Sequence, residues 1–432
     1  MAQKVKESLK ASFKEGIFAS VMFGVTDHYV IPFALYLGAT AQQVGWVSGV
    51  PSLLASLSQL CATWAVDLIG GRLRLVIRAV SVQAALLLLI ALLALSGFRY
   101  RVEAFLFLLV LFAMSGALAG PAWGSLMTEY IPKAKRGAYF GWRNRILGLV
   151  HVLSMIVAGL VLYWVGALAS VLGFFLIFLT GAFSRFLSAA YLAKMSDVAQ
   201  RRDPASDFTF LMFVARFRES NFVKFVAFAA TQTFAAYLAA PFFVVFMLRD
   251  LQFSYLTYMT LQLLSTVTGL LTLPLWGRHA DLVGNVKILR LTGLMISLVP
   301  AFWLISHNVF YLALVQAFAG FAWSGTMLCV SNFIYDAVTP QKRVRCISYF
   351  NVVNGIAIFA GASLGGFLAS RLPPLWGYPL LGLFAFSFAG RLFFYLLLAR
   401  RFREVRASKE VSVQELIFSV VGVRPLVASR EP

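Results

Sequence analysis

The strongest constraint in this chain is a succession of long apolar runs. Twelve stretches, at about residues 16–38, 43–66, 75–97, 104–127, 144–165, 168–193, 223–247, 255–276, 288–306, 309–334, 347–370 and 378–399, approach the roughly 20 apolar residues that a helix needs to cross a bilayer. The runs are continuous rather than alternating, so they read as helices and not as barrel strands. Composition agrees: 60% of the 432 residues are hydrophobic and 12% are charged, whereas soluble domains carry about a quarter charged. The first run, from Gly16, holds Asp27 and Pro32 and lacks a small-residue cleavage site. A retained span is expected there, not a signal peptide. The expected fold class is an all-α membrane protein with twelve transmembrane helices.

A formal net charge of +20 would point to nucleic acid in a soluble protein. Its distribution points elsewhere. Of the 37 Lys and Arg residues, 31 fall in the N-terminus, the even-numbered loops and the C-terminus, span edges included. The odd-numbered loops hold Arg99, Arg101, Arg249 and Arg371, and Arg185 and Arg391 lie inside spans. The positive-inside rule then places both termini in the cytoplasm of a cell (inner) membrane. The basic excess becomes a topology signal and an attraction to anionic lipid. Expected partners are a small-molecule substrate and membrane lipid, with no nucleic acid, and the chain is expected to be a monomer. Cys61, Cys329 and Cys346 are isolated, and the four His form no metal-ligand spacing with acids or cysteines. No Gly-x-x-x-x-Gly-Lys-Ser/Thr run occurs, so ATP is not expected to drive the protein directly. No metal or cofactor is expected.

The chain also repeats itself. Residues 65–70 read Ala-Val-Asp-Leu-Ile-Gly, with Arg72 and Arg74 following; residues 279–284 read His-Ala-Asp-Leu-Val-Gly, with Lys287 and Arg290 following. Pro32-Phe33 matches Pro241-Phe242, Pro132 matches Pro340, Asn144 matches Asn354 and Arg185 matches Arg391, at an offset of about 209 residues. Two six-span halves are expected at 1–193 and 223–400. A cytoplasmic linker at 194–222 joins them, with an amphipathic segment that mixes Phe208, Phe210 and Phe213 with Arg216 and Arg218. A basic tail at 401–432 follows, with an apolar patch at Leu416, Ile417 and Phe418.

These features resemble the major facilitator superfamily over about residues 16–400. Twelve spans in two halves, the long central loop and the Asp-x-x-Gly-basic turn after spans 2 and 8 all match. Asp67, Gly70 and Arg72 match the first signature turn, and Gly277, Asp281 and Gly284 the second. Thr63 stands where the family has its leading Gly, and Leu68 and Leu282 stand where it has Arg. Phe112 precedes Gly116 where drug–proton antiporters often carry Arg, and span 5 has no Pro. The resemblance implies two pseudo-symmetric six-helix bundles, the major facilitator fold. It implies alternating access about a central site lined by span 1, and the thin inventory of His, acids and nucleophiles within the spans makes enzyme activity unexpected.

Of the 17 acidic residues, Asp27 is the one expected near the middle of a span, on a face with Ser20, Gly24, Ile31 and Ala34. A carboxylate in hydrocarbon should face a cavity or a partner, and a titratable group at the midplane is what proton coupling needs. His28 is adjacent, and Asn144, Gly148, His151, Met155 and Gly159 form a stripe on span 5. Gln232, Tyr237, Gln262, Trp323 and Asn354 are further candidates for substrate or proton contact, with Trp123 among the remaining polar groups. For each, a hydrogen bond that merely satisfies packing is the alternative. For gating the expected residues are Asp67, Gly70, Arg72, Asp281 and Gly284. Arg185 and Arg391 join them, with Glu129 and Asp336 as their expected partners, and the turn acids are expected near helix N-termini or Arg. Pro32 and Pro241 are expected to kink spans 1 and 7, and Gly361 with Gly365 marks close helix packing. The expectation is a secondary active transporter of a small organic solute, with Asp27 coupling it to protons. A non-transporting sensor or a lipid-handling protein on the same fold is the rival.

Overall fold

Backbone polar groups have no water to bond inside a bilayer, so spanning segments close their hydrogen bonds within helices. The chain does this almost throughout. The structure, a computed structural model, describes residues 2–197 and 220–406. The expected amphipathic segment of the linker and the apolar patch of the tail lie outside the described residues. The helices are α1 (Ala2–Thr26), α2 (Val30–Tyr36), α3 (Ala41–Leu60), α4 (Ala62–Ile69), α5 (Arg72–Leu95), α6 (Arg101–Tyr130), α7 (Lys133–Leu168) and α8 (Ser170–Leu192). The second half continues with α9 (Asn221–Tyr237), α10 (Ala240–Val245), a π-helical turn Phe246–Asp250, α11 (Tyr255–Val283), α12 (Asn285–Phe302), α13 (Val309–Ala337), α14 (Pro340–Ala369) and α15 (Leu381–Leu398). Ten helices are long and apolar enough to cross a membrane, or twelve when the bent pairs α1–α2 and α3–α4 each count as one span.

Span 1 breaks just before Pro32, where a kink is expected, and span 2, expected to be continuous, is broken as well. Span 1 bends by 42° at Asp27–Tyr29 and span 2 by 61° at Cys61. The first break has a chemical cause. Pro32 has no N–H, so the carbonyl four residues earlier, on His28, loses its helical donor. The Tyr258 hydroxyl donates to that carbonyl instead, at 2.7 Å. Several helices run well past the expected span ends. Span 5, α7, begins at Lys133 rather than 144, and span 8, α11, ends at Val283 rather than 276.

The chain forms two compact units. The first comprises the described part of Met1–Pro204 with Tyr237–Leu263 and Gly355–Leu380; the second comprises the described parts of Ala205–Ala236, Leu264–Asn354 and Leu381–Pro432. Two segments of the expected second half, Tyr237–Leu263 and Gly355–Leu380, thus join the first unit. The segments Tyr237–Leu263 and Gly355–Leu380, from spans 7, 8 and 11, pack on the first half. Gly45 allows one such contact, since a Cβ there would lie 2.3 Å from the Ala362 carbonyl oxygen. Gly365 allows another approach, to the carbonyl of Leu238.

The first unit holds two apolar cores. One gathers Tyr29, Phe33, Phe105, Phe174 and Phe178; the other gathers Leu75, Val76, Leu126, Tyr130 and Met195. The second unit is built on Phe225, Trp276, Phe333 and Phe402.

Candidate functional site

The break in span 1 turns two polar residues toward an interior cavity of the first unit. This cavity, of about 580 Å³, is lined by Asp27 and His28 together with Ser52, Tyr237, Tyr258 and Gln262, among others. Asp27 is exposed at its wall, while Tyr29, two residues on, is fully buried and donates to the Met155 carbonyl at 2.9 Å. Gly24 lets span 1 lie against span 5, because a Cβ there would be 2.5 Å from the His151 carbonyl oxygen. The His28 and His151 rings meet edge to face, 6.4 Å apart between centroids. Four of the expected substrate or proton residues, Asp27, His28, Tyr237 and Gln262, thus share one cavity wall, and His151 stands behind it.

The remaining candidates are placed elsewhere. Asn144 is exposed, and its neighbour Arg143 takes the inward position on span 5. Gln232, Trp323 and Asn354 belong to the second unit. There Gln232 donates to the Arg391 carbonyl at 2.9 Å, and Asn354 accepts from the Thr233 hydroxyl at 3.0 Å.

A second cavity of the first unit, of about 510 Å³, is lined by Glu15, Gln83, Trp123, Arg143 and Arg185 and by apolar side chains such as Phe23 and Leu147. Phe112 and Ala113 line both cavities. Glu15 and Arg143 form an ion pair at 3.4 Å with both side chains 8% exposed. The expectation that Asp27 is the one deep carboxylate therefore fails. Span 1 begins at Ala2, so Glu15 is inside the helix and not in a leading loop. Hydropathy placed the span edges at 16 and 144, one residue inside each partner. The signal available in the sequence was their opposite charge at the rims of spans 1 and 5.

The expected partners of the two duplicated arginines also need correction. Arg185 donates to Gln83 Oε1 through Nε at 2.9 Å and Nη2 at 2.5 Å, and to Ser188 Oγ at 3.3 Å. Glu129, its expected partner, is exposed. Arg391 donates to the carbonyls of Ile296 at 2.9 Å and Ala236 at 3.2 Å and to Ser387 Oγ at 3.2 Å. Asp336 instead meets Arg406, at 2.7 Å, and accepts from Asn285 at 2.9 Å.

The two signature turns share a positive φ at their glycine but differ in ψ, 32° at Gly70 and 159° at Gly284. Gly70 and Gly284 take left-handed backbone at φ +79° and φ +87°, which favours glycine and stops each helix. Asp67 and Asp281 therefore sit in the last turn of the preceding helix, not at a helix N-terminus. Arg72 is buried and donates to Ser125 Oγ at 2.6 Å. At Gly284 a Cβ would lie 2.4 Å from Glu404 Oε2, and that carboxylate accepts the Val286 N–H at 2.8 Å. Asp281 makes a looser, exposed contact with Arg406 at 3.7 Å. Among the described residues no cluster of three or more His, Cys, Asp or Glu side chains is placed to hold a metal ion.

Helices this long and apolar are those of an integral membrane protein. The chain belongs to the Major Facilitator Superfamily, whose family model matches residues 16–232 and 222–429. Over 107 residues it is 34% identical to the efflux pump azaK of Aspergillus niger, a match that covers 24% of this chain and 22% of that protein. Among solved structures, the nucleoside transporter NupG superposes with TM-score 0.70 at 12% identity, covering 90% of this chain and 98% of NupG. A bacterial homolog of the human lysosomal transporter Spinster, in an inward-facing and unoccupied conformation, superposes with TM-score 0.62 at 17% identity, covering 94% and 99%. The family and these neighbours are transporters and not enzymes. The chain is accordingly a transporter that takes a small-molecule substrate and sits in a membrane.

Proposed function

We propose that this protein is a secondary active transporter that moves a small organic solute across the cell (inner) membrane by alternating access, with both termini in the cytoplasm, and that Asp27 couples transport to protons. The observation that carries the reading is Asp27 itself, set on a helix break and facing a cavity of about 580 Å³ beside Tyr237 and Gln262. A carboxylate at that depth is expensive unless it works in a cavity or with a partner. The helix break sets Asp27 and His28 on the cavity wall, as discontinuous transporter helices do near their binding sites. The basic loops support the orientation by the positive-inside rule. With that orientation, the segments Tyr237–Leu263 and Gly355–Leu380 close the outer end of the first unit. The gating role of Asp67, Gly70, Arg72, Asp281 and Gly284 belongs to the same proposal, since each turn ties consecutive helices at the cytoplasmic face.

The test is reconstitution in liposomes with counterflow of a labelled solute and, separately, accumulation driven by a pH gradient. Asp27→Asn is expected to abolish pH-driven accumulation and to leave counterflow and expression intact. Undiminished pH-driven accumulation by Asp27→Asn would remove Asp27 from the coupling mechanism.

A further inference from the structure

We propose that the cavity walled by Glu15, Arg143 and Arg185 binds the acidic group of an organic carboxylate with an apolar body; this rests on the transporter reading above and names its substrate class. The argument begins with charge. Arg143, Arg185 and Glu15 are 7%, 6% and 6% exposed, so two guanidiniums share one carboxylate in a poorly solvated wall. One positive charge is left uncompensated, which is costly in an apolar medium unless a further anion or a full set of neutral acceptors holds it.

Hydrogen bonding points the same way. Arg185 spends Nε and Nη2 on a single neutral oxygen, Gln83 Oε1, a fork geometry that suits a carboxylate better than an amide. Arg143 is held weakly, at 3.3 Å from the Ser12 carbonyl and 3.4 Å from Glu15. Arg143 Nε and Trp123 Nε1 are buried and have no hydrogen-bond partner among the described residues. Both belong to residues that line the cavity, with the Arg143 guanidinium 4.7 Å from the Trp123 ring centroid. The wall therefore offers donors in excess and wants an acceptor. Two glycines clear the space: a Cβ at Gly16 would lie 2.4 Å from Arg143 Nη2, and one at Gly116 would lie 2.7 Å from Gln83 Nε2. The remaining wall is largely apolar, and about 510 Å³ suits a small amphipathic molecule.

The internal duplication supplies an independent argument. Arg185 and Arg391 match between halves, yet their surroundings differ. Pro32 aligned with Pro241 sets Lys224 opposite Glu15, and Asn144 aligned with Asn354 sets Val353 opposite Arg143. In the second half the shared arginine is held by two backbone carbonyls and a serine. A purely structural arginine needs no more than that. In the first half Arg185 instead stands beside a buried Glu15–Arg143 ion pair and lines a cavity with both.

The test uses the full-length protein in detergent and reads ligand-induced stabilisation, with phenylbutyrate, octanoate and indoleacetate each paired with its primary amide. Carboxylates are expected to raise the melting temperature, and their amides to do so far less. Arg143→Gln is expected to weaken carboxylate binding by roughly ten- to a hundredfold, the loss of one charge-assisted contact. Glu15→Gln is expected to strengthen it, because the resident anion no longer competes. Trp123→Phe, which keeps the ring and removes the N–H, is expected to weaken it less; it decides the matter should Arg143→Gln fail to fold. Amides that stabilise as well as their acids, or an Arg143→Gln or Trp123→Phe protein that binds carboxylates as wild type does, overturn the proposal. Counterflow separates the two readings. Carboxylate binding without counterflow of any solute keeps the site and sinks transport; solute counterflow unchanged by Arg143→Gln keeps transport and sinks the anion site.

Discussion

Arg391 shows how a charge is kept inside an apolar bundle. It is 2% exposed, and its guanidinium reaches three acceptors: the carbonyls of Ile296 and Ala236 and the Ser387 hydroxyl. Ser387 in turn donates to the Ala235 carbonyl at 2.6 Å, so one side chain ties together spans 7, 9 and 12. Hydrogen bonds to a charged group contribute roughly 1.5–3 kcal/mol each when one partner is removed. Arg391→Leu is therefore expected to lower stability by at least about that much. Arg391→Lys should recover part of the loss, because a single ammonium cannot span three acceptors in the fork geometry of Arg. Thermal unfolding of the purified variants checks this, and an Arg391→Leu protein that melts with wild type would mean the network carries no stability. Arg185, matched in sequence, has traded such carbonyls for Gln83 and a cavity. Arg185→Leu should accordingly lose less stability than Arg391→Leu and more ligand binding.

At the scale of elements, the spans and the duplicated turns were legible because their signals are long or repeated. A window of about 20 apolar residues is hard to mistake, and the Asp-x-x-Gly pattern occurs twice in register. What hydropathy does not carry is where a helix goes on once it becomes charged. Span 5 continues back to Lys133 through Arg136, Arg143 and Arg145, and span 1 back to Ala2 through Lys10, Lys14 and Glu15, so hydropathy alone puts Glu15 and Arg143 outside their spans. Partners across the bundle are no more legible, since the shared cytoplasmic end of the half suggests Glu129 for Arg185 whereas Gln83 on span 3 reaches it. The second turn shows how magnitude sorts rival contacts. Asp281 is 75% exposed where it meets Arg406 at 3.7 Å, whereas Asp336 is 12% exposed and meets the same arginine at 2.7 Å. Exposed pairs contribute about 0–1 kcal/mol, and coupled neighbours in a shared network about 0.5–3 kcal/mol. A double-mutant cycle on Asp336→Asn and Arg406→Gln should thus show coupling that the Asp281→Asn cycle with Arg406→Gln lacks. Equal coupling in the two cycles would put Asp281 back at the centre of the latch.

For the whole molecule, alternating access requires that some packed contact form in one state and break in another. The approach of span 2 to span 11 is a clear candidate. Gly45 faces the Ala362 carbonyl, Gly49 faces the Phe359 backbone, and Gln42 donates to the Ser363 carbonyl at 3.3 Å. Small residues at such a seam let backbones meet without interlocking side chains, so the seam can part. A leucine at Gly45 would strike backbone atoms that cannot rotate away, and overpacking of this kind costs roughly 1–3 kcal/mol. That cost applies only to the state in which the seam is shut. The population of that state should therefore fall by roughly five- to a hundredfold relative to the open one. Ser52 lines the cavity beside Asp27 and reports on it. In a background where Cys61, Cys329 and Cys346 are serine, a Ser52→Cys protein should label slowly with a membrane-impermeant maleimide added outside intact cells. Adding Gly45→Leu should speed that labelling. Gly124→Leu is the control, because a Cβ at Gly124 meets nothing within 4 Å. If Gly45→Leu and Gly124→Leu label alike in folded protein, the outer gate closes through some other contact.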